Sequence, residues 1–149
     1  MSSKSKLIIN CGAPHVSASE FGVSAGRLVL ESFQVQELKY DYSNQEEWLS
    51  ELAATLKMMR VSGKATVIAP SMLLLTKTIK IPHVDEARRA EVIQFEAEKN
   101  IPYPINEVSW DYEIISDDGV EREIFLTSMK STAADDFCMA LSQAGVIPE

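Results

Sequence analysis

Residues that could carry chemistry are few and scattered in this sequence. The two histidines, His15 and His83, are too few for a histidine-based metal cluster, and neither lies beside a serine or cysteine nucleophile motif. No P-loop and no GxGxxG pattern occurs. The acidic pairs Asp117-Asp118 and Asp135-Asp136 fit a turn and the first turn of a helix better than a catalytic pair. The sequence therefore predicts no catalytic site and no metal site.

The two cysteines and the amino terminus bear on the compartment. Cys11 and Cys138 lie far apart and outside any CxxC pattern, so we expect two buried thiols in a reducing compartment. The first residues, MSSKSKLIIN, lack the apolar core of a signal peptide, and no apolar run approaches the length of a transmembrane helix. We therefore expect a cytoplasmic protein.

Charge and composition limit the classes of partner that this protein can bind. The formal net charge is −8 and the pI is near 4.8, and the 14 basic residues form no run. These values argue against binding to nucleic acid or to an anionic membrane surface. With 149 residues, 46% of them hydrophobic, the chain can bury a core in one domain or in two small subdomains.

The first half of the chain predicts three strands followed by a helix. Strands are predicted over residues 7–11, 16–21 and 28–38, the last two joined by a turn at 22–26, which suggests an antiparallel meander. Asn44, with Glu47 three residues later, forms the capping-box pattern of a helix start. The helix has one apolar face that should pack on the meander: Trp48, Leu49, Leu52, Leu56 and Met59. A short strand at 65–69 could add to the same sheet.

From about residue 73 the pattern changes to strand, helix, strand, strand, helix. The strand at 73–81 places Leu75, Lys77, Ile79 and Ile81 on one side, and a helix is predicted from about 85 to 100. Two further strands meet at the turn signal in 116–119. A last helix begins at Ser131 or Thr132 and ends at Gly145, with one apolar stripe: Ala134, Phe137, Cys138, Leu141 and Ala144.

The stretch from 90 to 112, AEVIQFEAEKNIPYPINEVSWDY, is the one around which the chain is organised. Pro102 and Pro104 fix φ and remove backbone donors, so the helix must end at Asn100 and the chain must turn into a strand. Phe95 and Val92 lie nearly opposite the main apolar stripe of that helix, which is Ala90, Ile93, Ala97 and Ile101. Phe95 must therefore be covered, either by a neighbouring element of the chain or by a partner segment.

The segment FEAEKNIPYPINEVSWDY, preceded by TKTIKIP at 76–82 and followed by the helix ending ALSQAG at 140–145, resembles the actin-like PilM family of type IV pilus assembly. The resemblance implies an α/β fold with a partial actin-like (ribonuclease H-like) subdomain over residues 1–72. It also implies an inserted small α/β subdomain of the PilM/FtsA type over residues 73–149. Such a protein belongs to the cytoplasmic side of an inner-membrane pilus platform and is related more distantly to FtsA and to type II secretion platforms.

In that family the first strand and turn read close to Asp-Ile-Gly-Ser-Ser-Ser-Val-Lys and touch the nucleotide phosphates and the magnesium shell. The matching residues here are 10–17, where the glycine (Gly12) and the valine survive. Asn10 lacks the charge, Ala13 lacks the hydroxyl, a proline at 14 lacks the N–H, and Ser17 replaces the cation. We therefore expect a degenerate nucleotide loop and no catalysis or cofactor in this chain. Binding of ATP with magnesium is expected only for a full-length form of the protein.

The resemblance also implies a groove between the two subdomains that accepts the short cytoplasmic tail of a PilN-like inner-membrane protein. Six residues beside the stiff corner are candidates for its wall: Ile81, Pro82, Phe95, Ile101, Pro102 and Tyr103. The alternative is that these six residues form core between the subdomains. The preferred hypothesis is a non-catalytic scaffold of the pilus platform that meets the membrane only through partners. The alternatives are an actin-like ATPase that requires a second lobe, and a component of a type II secretion platform.

A further expectation concerns the amino-terminal portion of such a protein taken alone. If part of the first subdomain is missing, an apolar face or a strand edge stays open and should find a partner. Self-association is therefore a third hypothesis, with a second copy of the chain as one candidate partner.

Overall fold

The structure, a computed structural model, describes residues 5–41 and 43–149, so the first four residues of the signal-peptide argument lie outside it. Its elements are, in chain order, β1 Lys6–Cys11, β2 His15–Ser24, β3 Arg27–Glu37, α1 Gln45–Met58, β4 Gly63–Ile68, β5 Leu75–Pro82, α2 Glu86–Asn100, β6 Val108–Asp117, β7 Glu121–Lys130, α3 Ser131–Gln143 and β8 Val146–Pro148. Short 3-10 turns precede β5 and β6. The chain divides into two compact units, Met1–Ser71 with Asp135–Glu149, and Met72–Ala134.

The first unit contains a five-stranded sheet with the order β3-β2-β1-β4-β8. The first three strands form the predicted antiparallel meander, and β4 and β8 add to it in parallel. The turn predicted at 22–26 is shorter than expected, because Gly22 pairs with Val29 and the strands continue to a two-residue turn. Ala25 and Gly26, both with positive φ (51° and 74°), form that turn, which suits the twist of a hairpin.

The α1 helix begins where the capping pattern predicts. The Asn44 Oδ1 atom accepts hydrogen bonds from the backbone N–H groups of Glu46 (3.1 Å) and Glu47 (3.3 Å). The Glu47 carboxylate accepts the N–H of Asp41 at 3.0 Å, so it ties the preceding loop to the first turn of the helix. The start of α1 is therefore held by reciprocal bonds between the helix and the loop before it.

The core of the first unit forms around Trp48. The fully buried Trp48 donates its Nε1–H to the carbonyl of Gly12 at 3.3 Å and stacks on Phe137, with ring centroids 6.0 Å apart. The α1 helix thus packs on the β1–β2 end of the meander, as predicted, and Phe137 joins α3 to the same core. Burial raises the pKa of the Cys11 thiol to about 12.

Two expectations for the end of the chain differ from the structure. The second unit was predicted over 73–149, but the compact unit runs from Met72 to Ala134, and most of α3 together with β8 belongs to the first unit. Cys138 was expected to be buried and is exposed, while Ala140 is buried with Phe137 and Leu141. The stripe on α3 predicts a packed helix, but periodicity does not tell which sheet the helix packs against.

The second unit is a three-stranded antiparallel sheet, β5-β7-β6, with α2 against one face. Its central pairs stack apolar side chains across the sheet, with Ile79 and Ile114 on either side of Ile124. The predicted stripe on α2 holds for Ile93, Ala97 and Ile101, which are buried, whereas Ala90 is exposed. The buried core of this unit consists of Ile79, Ile81, Ile93, Ala97, Ile101, Val108, Ile124 and Leu126.

The predicted β6–β7 turn contains a polar cluster. Asp118 caps the turn by accepting the N–H groups of Val120 and Glu121, both at 2.8 Å. The Asp117 carboxylate accepts from Arg122, from the N–H of Gly119 (3.0 Å) and from the ring of His83 (2.9 Å). These hydrogen bonds hold the pKa of Asp117 well below its ordinary value, and the bond from Arg122 has the largest effect. The acidic pair thus acts in the turn, as expected.

The cap of α1 gives a stability prediction. Replacement Asn44→Ala removes the acceptor for two N–H groups, so the free energy of unfolding should fall by about 1 kcal/mol. Asn44→Asp keeps an acceptor at the same place and should stay close to the wild type. Urea unfolding followed by circular dichroism measures both. Equal stability of Asn44→Ala and the wild type would contradict the role of this cap.

The Asp117 cluster gives a pH prediction. The side chain of Arg122 is buried, so Asp117→Asn leaves a buried guanidinium without its anionic partner and should destabilise the protein at pH 7. Since folding lowers the pKa of Asp117 from 3.8, its charge stabilises the fold above that pH, and the contribution is lost as the pH falls below it. The stability difference between wild type and Asp117→Asn should therefore shrink in acid. Thermal unfolding from pH 7 to pH 2 measures it, with the exposed Glu113→Gln as control, and a difference that does not change with pH would argue against the cluster.

Candidate partner-binding site

The β5 strand lies at an edge of the small sheet. In the described part of the chain it pairs only with β7, from Leu75 to Pro82. The backbone N–H and C=O groups on its other side can therefore pair with an added strand. Lys77 and Lys80 are exposed along this strand, and lysines on an edge discourage unspecific pairing. The edge is thus suited to a selected partner segment.

A small pocket of about 180 Å³ lies beside this edge. Small-molecule sites usually measure about 300–1,000 Å³, so this pocket is too small for a nucleotide and has the size for one apolar side chain. Three elements line it, namely β5, the corner after α2, and β7. The lining residues are Leu75, Thr76, Lys77, Asn100, Ile101, Pro102, Leu126 and Ser128.

The double-proline corner fixes the pocket wall. Ile101 donates its N–H to the carbonyl of Ala97 at 2.9 Å and then takes an extended conformation (φ −86°, ψ 125°), as expected for a residue before proline. Its side chain enters the core, while Pro102 stays exposed. Asn100 closes the helix end by donating its side-chain N–H to the carbonyl of Glu96 at 2.8 Å. The wall is therefore held by the core and by the end of α2.

Near the corner, a lysine side chain lies over each of two aromatic rings. The Nζ atom of Lys99 lies 3.9 Å from the ring centroid of Phe95, and that of Lys130 lies 4.3 Å from the ring centroid of Tyr103. Tyr103 is half-buried, whereas Phe95 remains 56% exposed. Phe95 was expected to be covered either by a neighbouring element of the chain or by a partner segment. No neighbouring element of the described chain covers it fully, since more than half of its surface is exposed to solvent. Phe95 is available to a partner.

The six residues predicted for a partner-facing wall take different places. Ile101 and Pro102 both line the pocket. Ile81 is 1% exposed and belongs to the core of the second unit, and Pro82 is exposed at the end of β5. Phe95 and Tyr103 lie outside the pocket lining.

Sequence reasoning did not name the other residues of the pocket. Leu75 and Lys77 share the strand side of Ile79 and Ile81, so strand periodicity could have identified them. Leu126 and Ser128 reach the pocket through the pairing of β7 with β5, which sequence periodicity does not reveal.

The predicted nucleotide loop uses its backbone groups within the fold. Gly12 donates its N–H to the carbonyl of His15 at 2.9 Å, and its own carbonyl accepts from Trp48. The turn is so tight that a Cβ atom at Gly12 would lie 2.8 Å from the His15 oxygen. Asn10 and Ser17 lie opposite each other on β1 and β2, and Ala13 is half-buried in the turn. The Gly12 N–H is therefore not free for a phosphate.

The described residues contain no group of three or more His, Cys, Asp or Glu side chains that could hold a metal ion. An open depression of about 550 Å³ is lined by Glu46, Glu47 and Glu51 and by one cation, Lys39, so carboxylates outnumber the cation and disfavour phosphate. Within the described range, no helix has the length and apolar character needed to cross a membrane.

Comparisons with known proteins bear on the fold. No protein-family model matches the sequence, and no curated protein matches it. A chain of a PilM–PilN type IV pilus biogenesis complex is similar with a TM-score of 0.76 and 20% identity, covering 96% of this chain and 45% of that one. The cytoplasmic domain of EpsL, an inner-membrane component of the type II secretion system of Vibrio cholerae, is similar with a TM-score of 0.57 and 9% identity, covering 97% of this chain and 57% of that one.

The chain thus spans about half the length of the solved chains that it matches. The match confirms the predicted fold class, in which a partial actin-like subdomain is joined to a small inserted α/β subdomain. The chain has a PilM-like fold.

Proposed function

We propose that this protein is a non-catalytic interaction module of a type IV pilus inner-membrane platform and binds the cytoplasmic tail of a PilN-like membrane protein. The observation that carries this proposal is the likeness, over 96% of the chain, to a protein solved in a PilM–PilN complex. The protein would work in the cytoplasm and reach the inner membrane through this partner.

The edge of β5 gives the proposal a physical basis. An extended tail can add to this strand through main-chain hydrogen bonds, which hold almost any sequence. Specificity then comes from a side chain that enters the pocket at Ile101 and Pro102. A tail with one leucine- or phenylalanine-sized residue, flanked by residues that can extend, has the chemistry that this site selects.

The expected strength follows from the size of the pocket. Burial of one large apolar side chain contributes about 1.5–3 kcal/mol, and each main-chain hydrogen bond contributes about 1 kcal/mol. Loss of the pocket contact alone should therefore weaken binding by about 10- to 100-fold. The main-chain hydrogen bonds cannot supply the specificity of the pocket contact, since they form equally well with any tail sequence.

The corner residues outside the pocket supply a second, weaker contact in this proposal. Phe95 is exposed on α2 and Tyr103 follows Pro102, so a tail that extends past the corner meets two aromatic rings. Ile81 contributes indirectly, because it belongs to the core that supports β5. Of these residues, Phe95 and Tyr103 would contact the tail, and Ile81 would support the strand to which the tail binds.

The module needs no nucleotide for this role. Tail binding uses β5 and the corner after α2, whereas the predicted nucleotide loop lies in the first unit. We further propose that the chain works without bound ATP, since the Gly12 N–H already donates to His15 and the loop lacks the charged residues that hold magnesium.

A type II secretion platform is the second candidate. The likeness to the cytoplasmic domain of EpsL, at a TM-score of 0.57, supports it. The two candidates differ in the partner and not in the kind of site. Titration with the pilus tail and with cytoplasmic segments of type II secretion proteins separates them, and the segment that binds more tightly identifies the system.

The pocket gives the prediction for this function. Calorimetric titration with a synthetic peptide of the PilN-like tail should show saturable binding. Leu75 lines the pocket and is 44% exposed, so Leu75→Asp should leave the fold intact and weaken binding at least tenfold by placing a charge in the pocket. Phe95→Asp should cause a smaller loss.

Phe125→Asp is the matched control. Phe125 is 39% exposed and lies on β7, outside the pocket lining, so this variant should bind like the wild type. No binding by the wild type at millimolar peptide would contradict the proposed function. Equal losses in Leu75→Asp and Phe125→Asp would contradict the site.

A further inference from the structure

We propose that β3 is a dimerisation edge, along which two copies of this chain pair β3 with β3 in antiparallel fashion about a two-fold axis. The two five-stranded sheets would then form one continuous sheet. This inference concerns the first unit and does not rest on the proposed tail binding.

The first observation is the openness of β3. It is the edge strand in the order β3-β2-β1-β4-β8, and in the described residues it pairs only with β2. Ten of its eleven residues, from Arg27 to Glu37, are exposed, and Ser32 is half-buried. Natural edges are usually short, or protected by lysine or proline, and β3 is long and contains neither.

The second observation is the apolar character of one side of this strand. Four side chains on β3 remain at least half exposed: Leu28 (70%), Leu30 (52%), Phe33 (58%) and Val35 (50%). Their pairing with Val23, Phe21, Ser19 and Ser17 on β2 places all four on the same face of the sheet. Single exposed apolar residues are ordinary, but a contiguous row along a free edge marks an interaction surface.

The third observation is that this row matches itself. A β-bulge falls at Glu31, because Glu20 pairs with Ser32 and Phe21 already pairs with Leu30. With a two-fold axis between residues 31 and 32, Leu28 lies opposite Val35 of the second copy, and Leu30 lies opposite Phe33 of the second copy. Every apolar residue of the row then meets an apolar residue on the same face, as a symmetric interface requires.

The charges agree with this register. Arg27 begins β3 and Glu37 ends it, so antiparallel pairing brings Arg27 of each copy beside the acidic end of the other. The two Glu31 carboxylates near the axis do not need to meet. Glu31 folds over Gly22 of its own sheet, where a Cβ atom would lie 2.0 Å from the Glu31 Oε1 atom. The charges at the two ends of β3 thus favour this register over a parallel one.

Sedimentation velocity and light scattering of the whole chain test the proposal. The mass should rise with concentration from 16.5 kDa toward twice that value. Phe33→Lys places a charge against Leu30 of the second copy and should weaken the dimer at least tenfold, and Val35→Lys, next to Leu28, should do the same. Ile147→Lys is the matched control, because Ile147 is 59% exposed on β8 and should leave the dimer unchanged.

Hydrogen exchange locates the contact. Backbone amides of β3 should exchange more slowly at concentrations where the dimer forms, while those of β8 should not change. A monomer at millimolar concentration would overturn the proposal and would mean that another occupant, such as a further segment of a longer chain, covers this face. A dimer that survives both lysine variants in folded protein, or that leaves β3 exchange unchanged, would overturn it as well.

Discussion

The burial of Ile101 directly before Pro102 is the constraint on which the second unit and its site depend. The proline holds Ile101 in an extended conformation, and the core holds its side chain, so α2 ends at one place and the chain leaves in one direction. That geometry brings Asn100 and Pro102 beside β5 and creates the pocket. A flexible corner would leave β5 as an ordinary edge, without a means to choose its partner.

Two of the edge strands, β5 and β3, show how side chains decide which partner an edge can accept. The β5 edge carries exposed lysines, which discourage unspecific pairing, and lies beside a small pocket with the size of one apolar side chain. The β3 edge carries no lysine and a row of exposed apolar residues that matches its own two-fold copy. Backbone chemistry is the same in both strands, so the difference in expected partner comes from the side chains alone.

Local signals predicted much of this structure. The Asn44 cap, the end of α2 at the double proline, the Asp118 turn and the strand alternation around Ile79 each follow from short-range chemistry, and the structure has all four. What the sequence did not reveal depends on packing over long distances. The apolar stripe on α3 could pack in either unit, and the stacking of Phe137 on Trp48 and the compact-unit boundary assign it to the first. The same limit explains why the pocket residues on β7 were missed, and why Ile81 was predicted to face a partner although it is buried.

In the proposed complex, an extended tail adds to β5 and fills the pocket at its corner. Backbone hydrogen exchange with and without the tail peptide tests this claim most directly, because strand addition must protect amides on the free side of β5. Exchange in Leu75–Pro82 and at the corner residues 100–102 should be slower when the peptide is bound. Binding that leaves β5 exchange unchanged, or that protects a different surface, would contradict it.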